Sequence, residues 1–169
     1  YFHIANIDPQ NPQWEDRDYI LLSNGHVCPI LYAALAKRGF FPKEELKKLR
    51  KIDSLLQGHP KLGIPGIENT SGLLGQGLSQ GLGIALGLYM DRNPNKVFVI
   101  TSDGEHQEGQ TWEAVMATAK WNLNNVVVIV DRNQIQIDGF TEEIMPLASL
   151  KEKYESFGWT AIEIDGHNY

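Results

Sequence analysis

Three segments rich in apolar and β-branched residues, with helical patterns between them, constrain the fold of this chain more than any other feature. Strands are predicted at Lys96–Thr101, Asn125–Val130 and Trp159–Ile164, and helices between them at Gln107–Trp121 and Leu147–Phe157. Strands that alternate with helices over short connections are typical of a parallel sheet. We therefore predict an α/β fold, a three-layer parallel sheet with helices on both faces and right-handed crossovers.

The first half of the chain is predicted to be helical and rich in loops. Its predicted segments are an irregular lead-in over Tyr1–Gly25 and helices over Val27–Arg38, from Pro42 to about Ile52, and from about Leu74 to Asp91. Glycine and proline are dense over 56–71, which predicts a loop. The glycines of the third helix indicate either a tight subunit or domain interface, where another backbone approaches closely, or a plain buried helix. Their spacing does not fit a dinucleotide-binding fingerprint. The chain, 1–169, is expected to be one domain.

Composition excludes several classes of function. Fifteen basic against twenty-one acidic residues give a net charge of −6. Nucleic-acid and anionic-membrane proteins depend on a basic surface, so neither partner is expected. The single cysteine, Cys28, cannot form an internal disulfide, which favours a cytoplasmic location. The uncharged stretch Asn69–Met90 is interrupted by glutamines and glycines, and the chain opens without a charged leader, so we expect no membrane span and no signal peptide.

Polar residues follow the first two predicted strands where each strand ends. Asp103 and Gly104 follow one strand and Asn133 follows the next. The carboxyl ends of parallel strands meet at one edge, where ligands of open α/β sheets bind. A carboxylate, an amide oxygen and a backbone carbonyl after Asn133 suit Mg²⁺ better than zinc, and Gly104 would let a diphosphate approach backbone N–H groups. Each segment taken alone is also compatible with an ordinary turn or a helix cap.

Several short motifs of the chain resemble those of transketolases, and they occur in the same order. The motifs are Leu22–His26, Gln57–Pro60, Thr70–Gly77, Asp103–Glu105, Gln107–Gly109, Asp131–Gly139 and Asp165–His167. The Asp-Gly-Glu stretch with Asn133 beyond it is similar to the thiamine-diphosphate motif. Ser102 stands where that motif begins with glycine. We expect serine to tolerate fewer backbone conformations there than glycine, without loss of cofactor binding. The resemblance implies the thiamine-diphosphate-binding fold.

The resemblance also implies roles for individual residues. Thiamine diphosphate would be bound by Gly72, Leu74, Asp103, Gly104, Glu105, Asn133 and Ile137. Mg²⁺, with Ca²⁺ or Mn²⁺ as substitutes, would be bound by Asp103, Asn133 and the backbone oxygen of Ile135. The catalytic set would be His26 and His59, which face the thiazolium and the sugar, and Glu108, which belongs to a glutamate network at the subunit interface. His3 and His106 are interpreted as surface or hydrogen-bonded histidines without a catalytic role, and the role of His167 is left open.

The implied activity is ketol transfer of the pentose-phosphate type. A two-carbon unit would pass from a ketose phosphate to an aldose phosphate, and the chain resembles the N-terminal, diphosphate-binding domain or split subunit of such an enzyme. It would be incomplete and inactive without a pyrimidine-binding half, in a homodimer or a heterotetramer. The alternatives are a subunit resembling deoxyxylulose-phosphate synthase or 2-oxoacid dehydrogenase E1α, a non-catalytic relative, and a nicotinamide oxidoreductase, which the glycine spacing disfavours.

Overall fold

The core of the fold is a parallel sheet, seen in a computed structural model that describes residues 1–168. Its strands are β1 (Tyr19–Leu22), β2 (Val97–Ser102) and β3 (Val126–Asp131), in the spatial order β1-β2-β3. The register pairs Leu22 with Ile100 and Ser102 with Asp131. A short antiparallel hairpin, β4 (Ile135–Gln136) and β5 (Gly139–Phe140), follows β3.

Within residues 1–168, five α-helices and three short 3-10 turns connect and cover these strands. The helices are α1 (Cys28–Arg38), α2 (Gly77–Met90), α3 (Gly109–Lys120), α4 (Thr141–Ile144) and α5 (Leu150–Ser156). The 3-10 turns are Gly25–Val27, Lys43–Lys48 and Gly104–Gln107. Gly39 ends α1 in the left-handed region, with φ of 101°. Within residues 1–168, each helix is too short or too polar to cross a membrane.

Each face of the sheet carries its own apolar core. Leu21 of β1 and Val99 of β2 pack with α2, α3 and α5. Leu22 and Ile100 pack with α1. Because neighbouring residues of a strand point to opposite faces, Leu21 and Leu22 place the two cores on opposite sides of the sheet. The predicted three-layer α/β fold is therefore confirmed.

Three predictions of local structure were wrong. The irregular lead-in contains β1, and the helix from Pro42 to Ile52 is a 3-10 turn over Lys43–Lys48 only. Trp159–Ile164 forms no strand in the described chain. This segment and β3 line the same cavity of about 540 Å³, and no ladder joins their backbones in the described residues. A strand needs hydrogen bonds to a neighbour, and β-branched composition by itself supplies none.

The glycines of α2 allow this helix to lie close to the sheet. A Cβ atom at Gly81 would lie 2.5 Å from Cγ2 of Val99, and a Cβ at Gly77 would collide with Ser23. At Gly83 a Cβ would meet nothing within 4 Å. At Gly77 and Gly81 the helix therefore packs closely on the chain's own sheet, as predicted for a buried helix. A subunit or domain interface at this helix stays a prediction.

Substitution by alanine is expected to have opposite effects on stability at Gly81 and at Gly83. Gly81→Ala should lower the free energy of unfolding by about 1–3 kcal/mol, because the methyl group overpacks against Val99 in the core. Gly83→Ala should raise it by up to about 1 kcal/mol, because alanine favours a helix interior over glycine. Equilibrium urea unfolding of both variants checks this pair. Equal effects at the two positions would contradict the close contact at Gly81.

Candidate functional site

The candidate site is built from the loops that follow β1, β2 and β3. These loops begin at Ser23, Asp103 and Arg132. Since the strands are parallel and adjacent, all three loops lie at the carboxyl edge of the sheet. The topology therefore gathers at one edge residues that are more than a hundred positions apart in sequence.

Asp103 is the fully buried carboxylate of this edge, with an exposed fraction of 0%. Its Oδ1 accepts a hydrogen bond from the backbone N–H of Gly104 at 2.8 Å. Its Oδ2 accepts from the backbone N–H of Gln134 at 2.6 Å and from Nη1 of Arg132 at 2.8 Å. The carboxylate thus joins the end of β2 to the loop after β3.

Asn133 lies on that same loop, on its exposed side. Its Oδ1 accepts from the backbone N–H of Ile135 at 2.9 Å, and its Nδ2 donates to Asp131 at 3.0 Å. The predicted metal ligands therefore lie on two segments that Asp103 holds in direct contact. The donor set of carboxylate, amide and main-chain oxygens fits a hard divalent cation, and the Arg132 guanidinium shows that positive charge is accommodated beside Asp103. Within residues 1–168, no three His, Cys, Asp or Glu side chains gather into a metal site.

Glu105 is a second fully buried carboxylate, two residues further along. Its Oε1 accepts from the Ser23 hydroxyl and from the backbone N–H of Gly75 at 2.9 Å. Its Oε2 accepts from the backbone N–H of Ser102 at 3.0 Å. These donors come from the end of β1, the loop before α2 and the end of β2. The Glu105 side chain therefore holds three segments of the edge together through protein contacts.

The two predicted catalytic histidines lie on neighbouring exposed loops. His26 directly follows Gly25, and a Cβ at Gly25 would lie 3.0 Å from Cδ2 of His59. The same Cβ would lie 2.5 Å from Oγ of Ser71, so glycine is required for these loops to meet. A Cβ at Gly72 would lie 3.8 Å from the same His59 atom. The structure therefore brings His59 against the loops that carry His26 and Gly72.

Asn69 attaches the loop that carries Gly72 to the sheet. Its side-chain amide accepts from Leu22 N–H and donates to Leu22 C=O, both at 3.2 Å, as a neighbouring strand would. A cavity of about 230 Å³ adjoins it, lined by Asn69, Gly72, Gln76 and Gln80 among others. Loop 69–74, which carries the predicted cofactor residues Gly72 and Leu74, is thus fixed to the end of β1.

The other two predicted residues lie at the surface. Glu108 is exposed at the start of α3, where its Cβ comes within 2.8 Å of the position that a Cβ of Gly75 would take. Ile137 is 96% exposed in the turn between β4 and β5. Both side chains are accessible to a partner, and their predicted roles at an interface and beside the cofactor remain predictions.

His106 is buried beneath the site, in keeping with its structural interpretation. Its Nδ1 lies 2.9 Å from the Ser102 carbonyl and its Nε2 lies 2.9 Å from the Tyr154 hydroxyl. Trp112 packs against its ring edge-on, with the centroids 5.5 Å apart. Burial lowers the pKa of His106, although the Ser102 carbonyl and the Asp103 carboxylate oppose that shift.

This lowered pKa predicts a loss of stability in acid. In the unfolded chain His106 takes up a proton as the pH falls through about 6.5, whereas in the folded chain it does so only at lower pH. The free energy of unfolding should therefore fall below pH 6.5, by at most about 1.4 kcal/mol per pH unit from this group. His106→Gln should flatten this dependence in urea unfolding between pH 7 and 5. The exposed His3→Gln should leave the slope unchanged, and an unaltered slope in His106→Gln would refute the prediction.

Several residues of the edge were not predicted from sequence. They are Ser23, Asn69, Arg132, Thr141 and Tyr154. Arg132 could have been recognised as a site residue from the sequence, because it is charged and directly precedes the candidate ligand Asn133 at a strand end. Ser23, Asn69 and Tyr154 act through partners 47 to 82 residues away, and Thr141 acts through Arg132, nine residues away. No local pattern marks such contacts.

Fold and site together define a class of protein, an α/β domain that presents oxygen donors and histidines at the carboxyl edge of a parallel sheet. The family model described as "Transketolase, thiamine diphosphate binding domain" matches residues 1–169. The chain belongs to the transketolase family, through its thiamine-diphosphate-binding domain, and the predicted resemblance is confirmed.

Relatives and solved structures agree with this membership. The chain is 46% identical to a 6-deoxy-6-sulfo-D-fructose transketolase subunit of Clostridium sp. (strain MSTE9), over 99% of the chain and 62% of that protein. It is 42% identical to an apulose-4-phosphate transketolase subunit of Phocaeicola vulgatus, over 98% of the chain and 59% of that protein. The transketolase of Leishmania mexicana superimposes with a TM-score of 0.90 at 32% identity, over 96% of this chain and 26% of that one. The chain thus spans about three fifths of the two subunits.

Proposed function

We propose that this chain is the diphosphate-binding part of a transketolase that moves a two-carbon ketol unit from a ketose to an aldose. One observation carries the proposal. Asp103, buried at the end of β2, is hydrogen-bonded to Gln134 in the loop that bears Asn133 and Ile135. A carboxylate, an amide oxygen and a main-chain oxygen on touching segments are the donors that a Mg²⁺–diphosphate pair requires.

The chain's own residues would hold the cofactor at this edge. Asp103, Asn133 and the backbone oxygen of Ile135 would bind Mg²⁺, for which Ca²⁺ or Mn²⁺ could substitute, and Gly104 would admit the diphosphate. Gly72 and Leu74 would contact the cofactor from loop 69–74, and Ile137 from the β4–β5 turn. Bound thiamine diphosphate supplies the carbanion-stabilising electron sink that the side chains of a protein lack.

His26 and His59 would perform the proton transfers. Both imidazoles are exposed at the edge, on loops that Gly25 allows to meet. An imidazole titrates near neutral pH, so it can both accept and donate a proton at a sugar hydroxyl. These residues would therefore act on the substrate, and Asp103 would act on the cofactor.

The names of the relatives support the proposal for substrates and partners. Two similar proteins are named for a sulfonated hexulose and for apulose 4-phosphate, which favours an anionic ketose as donor. Both are described as subunits, and this chain would likewise work with a pyrimidine-binding half, in a homodimer or a heterotetramer. Exposed Glu108 and Ile137 would face that half. A cytoplasmic location is inferred from the single buried cysteine, which has no partner in the chain for a disulfide.

The test combines the complete protein that contains this chain with its pyrimidine-binding half. Mg²⁺-dependent binding of thiamine diphosphate is measured first, then ketol transfer to ribose 5-phosphate from xylulose 5-phosphate and from sulfonated or phosphorylated ketoses. The proposal expects both binding and transfer. Conversion of pyruvate without transfer from any ketose would refute it.

Replacement of His59 separates chemistry from cofactor binding. His59→Ala should lower the rate of ketol transfer by about 100-fold or more, because it removes an acid–base group. The affinity for thiamine diphosphate should change much less, because the substitution leaves the proposed Mg²⁺ ligands Asp103, Asn133 and Ile135 intact. The exposed His3→Ala serves as the matched control. Full transfer activity in His59→Ala would exclude the proposed role.

A further inference from the structure

Arg132 makes the most extensive side-chain contacts at the candidate metal site, and neither the proposed reaction nor the family motif accounts for it. Its Nη1 donates to Oδ2 of Asp103 at 2.8 Å and to Oγ1 of Thr141 at 2.9 Å. Its Nη2 donates to Oε1 of Glu142 at 2.6 Å. The guanidinium therefore spans the buried end of β2 and the start of α4.

The two oxygens of Asp103 differ in how far their hydrogen-bonding capacity is used. Oδ2 accepts two hydrogen bonds, from Arg132 and from the backbone N–H of Gln134. Oδ1 accepts one hydrogen bond, from the adjacent N–H of Gly104. A carboxylate oxygen has two lone pairs, so Oδ2 is saturated and Oδ1 retains a lone pair. The contacts thus select Oδ1 as the oxygen left for a cation.

The guanidinium is itself anchored at its far end. Thr141 is fully buried. Glu142 also accepts hydrogen bonds from the backbone N–H groups of Leu147 and Ala148, at 3.1 and 3.2 Å. Arg132 is therefore held between a buried strand end and a loop that Glu142 ties down, and its planar fork sets the orientation of Asp103.

We propose that Arg132 is a positioning residue of the metal site, which holds Oδ2 of Asp103 so that Oδ1 faces the divalent cation. The inference rests on the proposed function, because it takes Asp103 to be a ligand. Carboxylate ligands are commonly oriented by such outer contacts, and their loss costs about 10- to 100-fold in metal affinity. Glu142 offsets the charge of Arg132, so the Asp103–Arg132–Glu142 triad keeps a net charge of −1 for the cation.

Lysine cannot replace arginine in this arrangement. An ammonium group is a point charge on a flexible stem, whereas the guanidinium presents its donors in a fixed plane. Arg132→Lys keeps the charge and loses the simultaneous contacts to Asp103, Thr141 and Glu142. Arg132→Gln loses both. Comparison of the two variants therefore separates orientation from charge.

The experiment measures binding of Mg²⁺ and of Ca²⁺, each titrated calorimetrically at saturating thiamine diphosphate into the complete protein with its pyrimidine-binding half. Both Arg132→Lys and Arg132→Gln should weaken Mg²⁺ binding by about 10-fold or more. Ca²⁺ should lose less, because it tolerates irregular coordination where Mg²⁺ requires a near-octahedral site. The preference for Mg²⁺ over Ca²⁺ should therefore fall, which a general loss of folding would not produce.

Two further variants keep the test decisive. Exposed Arg92→Gln, at the end of α2, removes the same charge away from the site and should bind both ions like the wild type. Glu142→Gln loosens the far anchor without touching the buried Asp103, and it should weaken Mg²⁺ binding even if the Arg132 variants fail to fold.

The outcomes that overturn the proposal are equally specific. Unchanged Mg²⁺ binding in Arg132→Gln would show that the guanidinium does not contribute to the metal site. Tighter Mg²⁺ binding would show that it competes with the metal. Wild-type affinity in Arg132→Lys would show that charge suffices and orientation does not matter. A wild-type protein that binds neither ion with the cofactor would instead overturn the proposed function itself, so the two failures are distinguishable.

Discussion

Replacement of Asp103 by asparagine is expected to abolish metal-dependent binding of thiamine diphosphate. Asp103 is the one anionic group among the three predicted ligands, and the amide keeps its size while it removes the charge. Neutral oxygen donors hold Mg²⁺ weakly without a carboxylate, so the apparent affinity for the cofactor should fall by more than about 100-fold. Calorimetric titration of thiamine diphosphate with and without Mg²⁺ measures the effect.

The control for this variant is Asp91→Asn. Asp91 is exposed at the end of α2, so the change removes the same charge at a distance from the site. Its cofactor affinity should equal that of the wild type. If Asp103→Asn also bound the cofactor with wild-type affinity in the presence of Mg²⁺, Asp103 would not be a ligand, and the proposed metal site would be excluded.

Glu105→Ala is expected to lower the free energy of unfolding by about 3 kcal/mol or more. The substitution leaves the Ser23 hydroxyl and the N–H groups of Gly75 and Ser102 without their acceptor in the interior. Each buried donor left unsatisfied costs about 1–3 kcal/mol. Urea unfolding followed by circular dichroism measures the loss.

Two comparisons sharpen this expectation. Glu105→Gln keeps one acceptor oxygen, so its loss should be smaller than that of alanine. Exposed Glu113→Ala on α3 should change stability by less than about 0.5 kcal/mol. A Glu105→Ala protein as stable as Glu113→Ala would mean that the three donors find other partners, and that Glu105 does not hold the edge together.

Part of this architecture could be predicted from short-range pattern. Residues 97–100 are apolar and mostly β-branched, residues 126–130 are all β-branched, and both segments became strands of the parallel sheet. Gly39 predicted the end of α1 because only a residue tolerant of positive φ suits that position. Asp103 and Asn133 were predicted as neighbours because each follows a parallel strand, and Asp103 does contact the loop of Asn133.

Other elements escaped sequence reasoning because their cause is not local, and among them are the protein contacts of Glu105, whose role at the cofactor stays a prediction. β1 has only four residues within a turn-rich region, and its backbone is extended because it pairs with β2. Trp159–Ile164 has strand composition, yet it lines a cavity with β3 and no ladder joins the two in the described residues. Glu105 was predicted to bind cofactor, and only the packed edge shows its carboxylate surrounded by protein donors.

The amino-acid sequence alone determined the family, the α/β class and the order of chemical groups along the chain, because motifs and hydrophobic periodicity are properties of neighbouring residues. The tertiary structure decided which donors surround Glu105 and which oxygen of Asp103 accepts from Arg132. Those outcomes depend on contacts such as Ser23 with Glu105, 82 residues apart, and Arg132 with Asp103, 29 apart. Contacts of this kind form only when the strands pair and bring distant loops together, so no local pattern encodes them.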